Sequence, residues 1–254
     1  MVSKEKTSFI KDIENKQPML SLIGLGLNDE KDISVKGLEI VKKADIIYLE
    51  NYTSKLQCSK ETLEKFYGKE VQLVEREVVE NATAILSQAA YNNIVLLIVG
   101  DVFSATTHIA LYQEAKQRGI EVQVINNASV FNAIGITGLE LYKFGKTTSI
   151  PFHESDTPVK VIKENGKLHT LCLLDLVPSE NKFMEAKEAI EKLHKSGFDT
   201  NTKVVICAQL GSENPTILYT EAKNIKLLNK FPQCLIIPGE LHFMEKEMLE
   251  MYSE

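Results

Sequence analysis

The sequence predicts an α/β fold built from two halves. Short apolar runs alternate along the chain with segments whose apolar residues recur at helical spacing, which is the pattern of βαβ units. The strongest run, Ile94 to Val99, has no polar interruption, as in strands of a parallel sheet that is covered on both faces. Ligands in open α/β sheets bind at the carboxyl ends of strands. Asp101 and Ser104, which follow this run, are therefore the first candidates for a site, although an ordinary turn and helix cap would carry the same residues.

The composition is that of an ordinary globular protein and excludes several classes of function. Of the 254 residues, 44% are hydrophobic and 25% are charged, with a net charge of −6. Because the chain has no run of Lys or Arg, we expect no nucleic-acid partner, and its apolar runs are too short to span a membrane. The four cysteines, Cys58, Cys172, Cys207 and Cys234, show no spacing typical of metal ligands. We therefore expect a metal-free, cytoplasmic protein with reduced thiols.

Residues 19–136 are predicted to form an N-terminal Rossmann-like domain with a parallel sheet, preceded by a flexible extension of residues 1–18. Each expected strand contains a run of apolar residues, and the strands lie at 19–27, 45–50, 71–74, 94–99 and 121–125. Helices are expected at 35–44, from 59 onward, at 81–91, at 108–118 and from 129 onward. Ser34 stands before the first of them as a capping residue. Strands that alternate with helices in this way join through right-handed crossovers and run parallel.

Residues 137–254 are predicted to form a second, C-terminal α/β domain. Its expected strands lie at 169–176, 204–208 and 234–238, and its expected helices at 182–195 and 240–251. A polar loop is expected from His153 to Pro158. No linker rich in Pro, Gly or Ser separates the halves, so we expect them to pack tightly with a cleft between them.

A dinucleotide site is an alternative that the first strand raises. Gly24-x-Gly26 follows this strand, and glycines at such a turn let the backbone approach a pyrophosphate. The third glycine of that motif would fall at position 29, which is Asp29. The pattern is therefore incomplete, and it favours a nicotinamide or flavin cofactor only weakly.

Strand ends from both halves of the chain could face one cleft. They are Leu27, Asp101 to Ser104, Ser129-Val130, Leu174-Asp175 and Leu210-Gly211. These segments are mostly apolar and carry few charges, which suits a ligand with a large flat apolar part and a few polar groups. They do not suit a triphosphate.

With these segments in view, the sequence resembles the diphthine synthases, which are class III S-adenosylmethionine-dependent methyltransferases of the tetrapyrrole-methylase type. The resemblance covers nearly all of residues 19–254 in order. The motifs that carry it are Leu22-Ile-Gly-Leu-Gly-Leu27, Tyr48-Leu-Glu-Asn-Tyr-Thr-Ser54, Gly100-Asp-Val-Phe-Ser-Ala-Thr-Thr-His108, Asn127-Ala-Ser-Val130, Leu141-Tyr-Lys-Phe-Gly145, His169-Thr-Leu-Cys-Leu-Leu-Asp175 and Pro238-Gly-Glu-Leu-His242.

The resemblance implies two α/β domains, a homodimer, and S-adenosyl-L-methionine bound in the interdomain cleft, with S-adenosyl-L-homocysteine as product. Two positions depart from the family pattern. Val102 stands where the family usually has proline, and Gln233 where it usually has histidine. The cofactor contacts implied by matching motifs are Leu27, Asp101, Ser104, Ser129, Val130, Leu174, Leu210 and Gln233.

The resemblance also implies repeated methyl transfer to the modified histidine of elongation factor 2. The amino group of its aminocarboxypropyl side chain receives methyl groups, and in eukaryotic members the carboxylate is esterified as well. A sulfonium already carries an activated methyl group, so we expect no catalytic residue acting as nucleophile, no metal and no essential general base. Asp101 should instead matter for cofactor affinity. The alternatives are a methylase of a tetrapyrrole or other small molecule on the same fold, and a non-catalytic module that binds a translation factor.

Overall fold

The computed structural model describes residues 19–253, so the predicted extension at 1–18 lies outside the described part of the chain. The described residues form two five-stranded sheets with helices packed against them. This arrangement confirms the predicted α/β fold with two sheets. None of the helices within 19–253 is long and apolar enough to cross a membrane.

The first sheet is fully parallel, with the strand order β3-β2-β4-β1-β5. All five of its strands were expected from apolar runs. They are β1 (Met19–Gly24), β2 (Ile46–Glu50), β3 (Gln72–Val74), β4 (Ile94–Ile98) and β5 (Glu121–Ile125). The helices of this half are α1 (Val35–Lys43), α2 (Lys60–Tyr67), α3 (Arg76–Glu80), α4 (Thr83–Ala89), α5 (His108–Gln117) and α6 (Val130–Ala133).

Strand β4 lies in the middle of this sheet and is buried on both faces. Leu96 and Ile98 pack into the core on one face, whereas Val95 and Leu97 pack into the core on the other. Burial on both faces explains why this strand has no polar residues, because a polar side chain on either face would be cut off from water.

The second sheet is mixed, with the order β11-β10-β12-β7-β6, and only β6 and β7 run parallel. Its strands, with those of a separate hairpin β8-β9, are β6 (Thr148–Ile150), β7 (Thr170–Leu174), β8 (Leu176–Val177), β9 (Lys182–Phe183), β10 (Lys203–Ala208), β11 (Thr216–Glu221) and β12 (Gln233–Ile237). The remaining α-helices are α7 (Thr157–Asn165), α8 (Ala186–Lys195) and α9 (Phe243–Glu250).

Three sequence-based expectations for this half need correction. The helix expected at 182–195 begins only at Ala186, because Phe183 instead pairs with Leu176 in the hairpin and stacks on Phe231. The polar loop expected to end at Pro158 ends earlier, since α7 begins at Thr157 and tolerates proline in its first turn. Strand β11 was not expected at all.

A buried ionic cluster attaches α9 to the second half of the protein. The carboxylate of Glu245 is fully buried and accepts hydrogen bonds from the backbone N–H groups of Glu140 (2.9 Å) and His242 (2.8 Å). Its Oε1 lies 2.9 Å from Nε2 of His169, and Oε2 accepts from Lys143. Burial alone would raise the pKa of Glu245, but these hydrogen bonds outweigh it and lower the pKa to about 2.

We expect Glu245→Gln to lower the free energy of unfolding by about 3 kcal/mol at neutral pH, because it leaves the partly buried ammonium of Lys143 without its partner charge and removes one acceptor oxygen from a fully buried group. The folded-state pKa of Glu245 is depressed. Its contribution is therefore complete above the ordinary value of 4.5 and is lost as the pH falls toward about 2. Urea unfolding of both proteins at neutral and acidic pH measures this.

Glu247→Gln, an exposed change in the same helix, is the control and should stay within about 0.5 kcal/mol of the parent. A deficit of Glu245→Gln that is the same at both pH values would contradict the assignment.

Candidate functional site

A cavity lies where the edges of the two sheets meet. Its volume is about 140 Å³, and since about 10–15 Å³ accommodates one water on this measure, it can hold on the order of ten waters. That is room for an organic ligand rather than a single ion. The residues on its wall are Leu27, Thr53, Ser54, Val99, Gly100, Asp101, Ser104, Ala105, Thr106, Ser129, Val130, Leu173, Leu174, Leu176, Cys207, Leu210, Pro232, Gln233 and Cys234.

Strand topology explains why residues distant in sequence meet at this wall. Strands β4, β1 and β5 are neighbours and run parallel, so the residues after their carboxyl ends lie at one edge of the first sheet. In the second sheet, β12 runs antiparallel to both β10 and β7. The start of β12 at Gln233 therefore lies beside the ends of β10 and β7, and Gln233 faces Ala208 in the register.

All eight residues that the family resemblance implied as cofactor contacts lie on the wall of this one cavity. Asp175, which the strand-end argument included, does not. Its carboxylate accepts from the backbone N–H groups of Phe152 and Leu176, at 3.0 Å each, and so stabilises its own turn.

The carboxylate of Asp101 joins the ends of β4 and β5. Oδ1 accepts from the backbone N–H of Phe103 (3.2 Å) and the hydroxyl of Ser104 (3.1 Å). Oδ2 accepts from Nδ2 of Asn126 (2.9 Å) and the backbone N–H of Asn127 (3.1 Å). Burial works to raise the pKa of Asp101, but these four hydrogen bonds outweigh it and the pKa is lowered. Asp101 is therefore an ionised residue that shapes the loops of the cavity.

Val102 takes the place of the proline that the family usually has, and the turn is stabilised by other means. Its side chain is fully buried in the core of the first half. Its carbonyl oxygen accepts from the hydroxyl of Thr106 at 2.7 Å and lies 3.3 Å from Nδ1 of His108. These contacts fix the turn without the restricted φ of proline.

Gly24, the last residue of β1, and Gly26 just after it allow strand ends to approach each other closely. The backbones of Gly26 and Gly100 exchange two hydrogen bonds, of 3.1 and 2.7 Å. A Cβ on Gly24 would lie 2.6 Å from the carbonyl oxygen of Gly100 and 2.9 Å from Cβ of Asn127. This packing accounts for Gly24-x-Gly26 without a pyrophosphate, so the dinucleotide alternative loses the motif that raised it.

Ser129 and Leu210 are placed on the wall by the backbone around them. Ser129 precedes α6 and caps it, since its hydroxyl accepts from the backbone N–H of Phe131 at 3.2 Å. Leu210 lies between Gln209 and Gly211, both with positive φ. A Cβ on Gly211 would lie 2.7 Å from Cβ of Leu27. The loop after β10 in the second half therefore packs directly against the loop after β1 in the first.

Gln233 reaches the wall, but its amide group is already engaged by the protein. Oε1 accepts from the backbone N–H of Ala186 at 2.9 Å. Nε2 donates to Glu185 and to the carbonyl oxygen of Lys230, both at 2.9 Å. A ligand in the cavity would therefore contact the backbone or the aliphatic part of Gln233 rather than its amide group.

Sequence reasoning missed Thr53 and Ser54, which also line the cavity. They follow β2, the neighbour of β4 in the first sheet. The signal that could have found them is the same strand-end rule that identified Asp101, applied to one more strand.

Most of the surface of this wall is apolar, and the polar side chains on it are mainly hydroxyls. The hydrogen bond with Cys234, followed by burial, raises the pKa of Cys207, so this thiol is a poor nucleophile. Burial raises the pKa of Cys172, which lies behind the wall. The cavity suits a partly apolar ligand that is oriented by backbone groups and a few hydroxyls.

Comparison with known proteins identifies relatives of the whole described chain. The family model of the Tetrapyrrole (Corrin/Porphyrin) Methylases matches residues 19–226. The diphthine synthase of Methanocaldococcus jannaschii is 45% identical over 257 residues, covering 93% of this chain and 99% of that protein. The probable diphthine methyl ester synthase of Arabidopsis thaliana is 42% identical over 272 residues, covering 92% and 98%. A crystal structure of diphthine synthase superposes with a TM-score of 0.88 at 39% identity, covering 92% of this chain and 96% of that one.

We expect Gly24→Ala to lower the free energy of unfolding by about 1–3 kcal/mol, because the added methyl group meets backbone atoms that cannot move aside cheaply. Urea unfolding measures the change. The control is Gly135→Ala, where the nearest heavy atom to an added Cβ is Cδ1 of Leu141 at 3.6 Å and the effect should stay within about 1 kcal/mol. Equal stability of Gly24→Ala and the parent would show that this glycine is not needed for the approach of the strand ends.

Proposed function

The chain belongs to the tetrapyrrole methylase family, among the diphthine synthases, and on that premise we propose that it methylates the modified histidine of elongation factor 2. The donor in this proposal is S-adenosyl-L-methionine, and the product is S-adenosyl-L-homocysteine. The transfer repeats on the amino group of the side chain and gives diphthine, and a further transfer to the carboxylate would give its methyl ester. We include in the proposal a homodimer in the cytoplasm.

One observation supports this proposal most strongly. The eight residues that the motifs alone implied as donor contacts all line one cavity. They come from the ends or starts of strands in both sheets. Such convergence supports a shared ligand, because a chance set of motif residues would scatter over the surface.

The residues present fit this donor. Leu27, Leu174 and Leu210 offer apolar surface for a flat base, whereas Ser104 and Ser129 offer hydroxyls nearby. When bound, the donor supplies a methyl group that is already activated on a positively charged sulfur. The protein then needs to place an amine or a carboxylate in line with it, and such placement can contribute roughly 7–11 kcal/mol.

The apolar wall also acts on the acceptor. An amine attacks only when it is unprotonated, and a low-dielectric surrounding disfavours the ammonium form. The aliphatic residues from both halves therefore do more than exclude water, because they also favour the unprotonated amine that attacks the methyl group.

We expect the protein to add methyl groups to elongation factor 2 that carries the unmethylated aminocarboxypropyl histidine, because the residues implied to contact the donor line one cavity. Mass spectrometry of the factor after incubation with the donor should show a ladder of single methyl increments. The number of increments also tells whether the carboxylate is esterified.

The same assay with a precorrin in place of the factor separates the small-molecule alternative. Methylation of the precorrin and not of the factor would overturn the proposal. Binding of the factor without any increment would favour the non-catalytic alternative.

A further inference from the structure

A buried carboxylate and a buried imidazole lie together behind the cavity wall. Glu50 ends β2, His108 begins α5, and each is 1% exposed. Oε2 of Glu50 lies 3.5 Å from Nε2 of His108 and has no hydrogen-bond partner among residues 19–253. Leaving a buried carboxylate oxygen without a donor costs free energy. A proton added to the carboxylate of Glu50 would relieve part of that cost.

The contacts of His108 determine which of its nitrogens carries hydrogen when the ring is neutral. Nδ1 lies 3.3 Å from the carbonyl oxygen of Val102, which can only accept, so Nδ1 is the donor. Nε2 then presents a lone pair, to which the hydroxyl of Tyr52 donates at 3.2 Å. Burial, followed by the charge of Glu50, raises the pKa of Tyr52, so the phenol retains its hydrogen. The neutral ring therefore offers no hydrogen to Oε2 of Glu50, and within the described part of the chain the negative charge of the carboxylate is left without a donor at that oxygen.

A hydroxyl connects this pair to the cavity. Thr53 lines the cavity, and its Oγ1 donates a hydrogen bond to Oε1 of Glu50. The same carboxylate oxygen accepts from the backbone N–H of Val99 at 3.3 Å, which fixes its position. The lone pairs of the Thr53 hydroxyl remain available to a donor in the cavity.

We propose that Thr53 passes the proton of the substrate ammonium to Glu50 before each methyl transfer, a role that rests on the proposed function. The ammonium gives a proton to Oγ1 of Thr53 while Thr53 gives its own hydrogen to Oε1 of Glu50, so the buried carboxylate becomes a neutral carboxyl group. The lone pair freed on nitrogen forms the new C–N bond, and the electrons of the breaking C–S bond go to sulfur. The proton returns to solvent by the reverse path after product leaves.

Glu50 does not line this cavity, so it acts through Thr53 as a positioning residue. The relay speeds the reaction at pH values at which the amine is mostly protonated. At higher pH, where the amine is already unprotonated, the relay is dispensable. This agrees with the expectation that no general base is essential. Other ionisable groups lie near the pair. The guanidinium of Arg76 lies 5.2 Å from the centre of the Tyr52 ring, and Glu80 acts on Tyr52 through its charge. A second cavity is lined by Glu50 together with Lys55, Cys58 and Lys60.

Thr53→Val tests the relay because it removes the hydroxyl and keeps the shape of the side chain. We expect the rate of the first methyl transfer, measured in single turnover with elongation factor 2, to fall about 100-fold near pH 7. The deficit should shrink as the pH rises to about 9.5, where less of the amine is protonated. Thr53→Ser should retain most of the rate at both pH values.

Affinity for S-adenosylhomocysteine, measured by calorimetry, should be unchanged in Thr53→Val. Glu50→Gln, which keeps the shape but cannot accept the proton, should show the same pH-dependent deficit. A deficit equal at both pH values would mean that Thr53 is merely structural, and a parent-like rate near pH 7 would also overturn the relay. If the parent protein itself transfers no methyl group, the proposed function fails and the relay fails with it.

Discussion

The candidate site depends on one carboxylate that organises two loops. Asp101 accepts hydrogen bonds from the turn after β4 and from the segment after β5. A single side chain thus fixes the positions of Ser104 and of the segment leading to Ser129. The close contact between Gly26 and Gly100 adds the end of β1 to the same assembly. Because these strands are neighbours in a rigid parallel sheet, the wall that they form is arranged before any ligand binds, and little ordering entropy remains to oppose binding.

The second half of the protein contributes the opposite wall through a different topology. Strand β12 runs against its neighbours, so its first residue lies beside the last residues of β7 and β10. A parallel strand in that place would have put Gln233 at the far edge of the sheet. The mixed sheet therefore brings one strand start and two strand ends to the cavity, and α9 is attached to this half by the buried carboxylate of Glu245.

Much of this could be predicted from the sequence, because β4 is buried on both faces and carries an unbroken apolar run. The edge strands β3 and β5 are partly exposed and include polar residues, but their short apolar stretches between turn residues still indicated strands. The strand-end rule then located Asp101 and Ser104. Prediction was weaker where tertiary contacts compete with local pattern. Phe183 pairs in a hairpin although its spacing fits a helix, and β11 is an edge strand whose residues are only half-buried at most positions. The sequence also could not show that the amide of Gln233 donates its hydrogen bonds to Glu185 and Lys230. Nor could it show that Glu50 and His108, 58 positions apart, share one buried space.

The central claim is that a cavity shaped by Asp101 holds the sulfonium donor, and calorimetric titration with S-adenosylhomocysteine tests it most directly. The account predicts that the parent binds. It also predicts that Asp101→Ala binds about tenfold or more weakly, because two backbone N–H groups lose their acceptor and the loops lose their shape. Asp156→Ala removes an exposed carboxylate bonded to Ser196 and should bind like the parent. Equal affinity of Asp101→Ala and the parent, or no binding by the parent, would contradict the account.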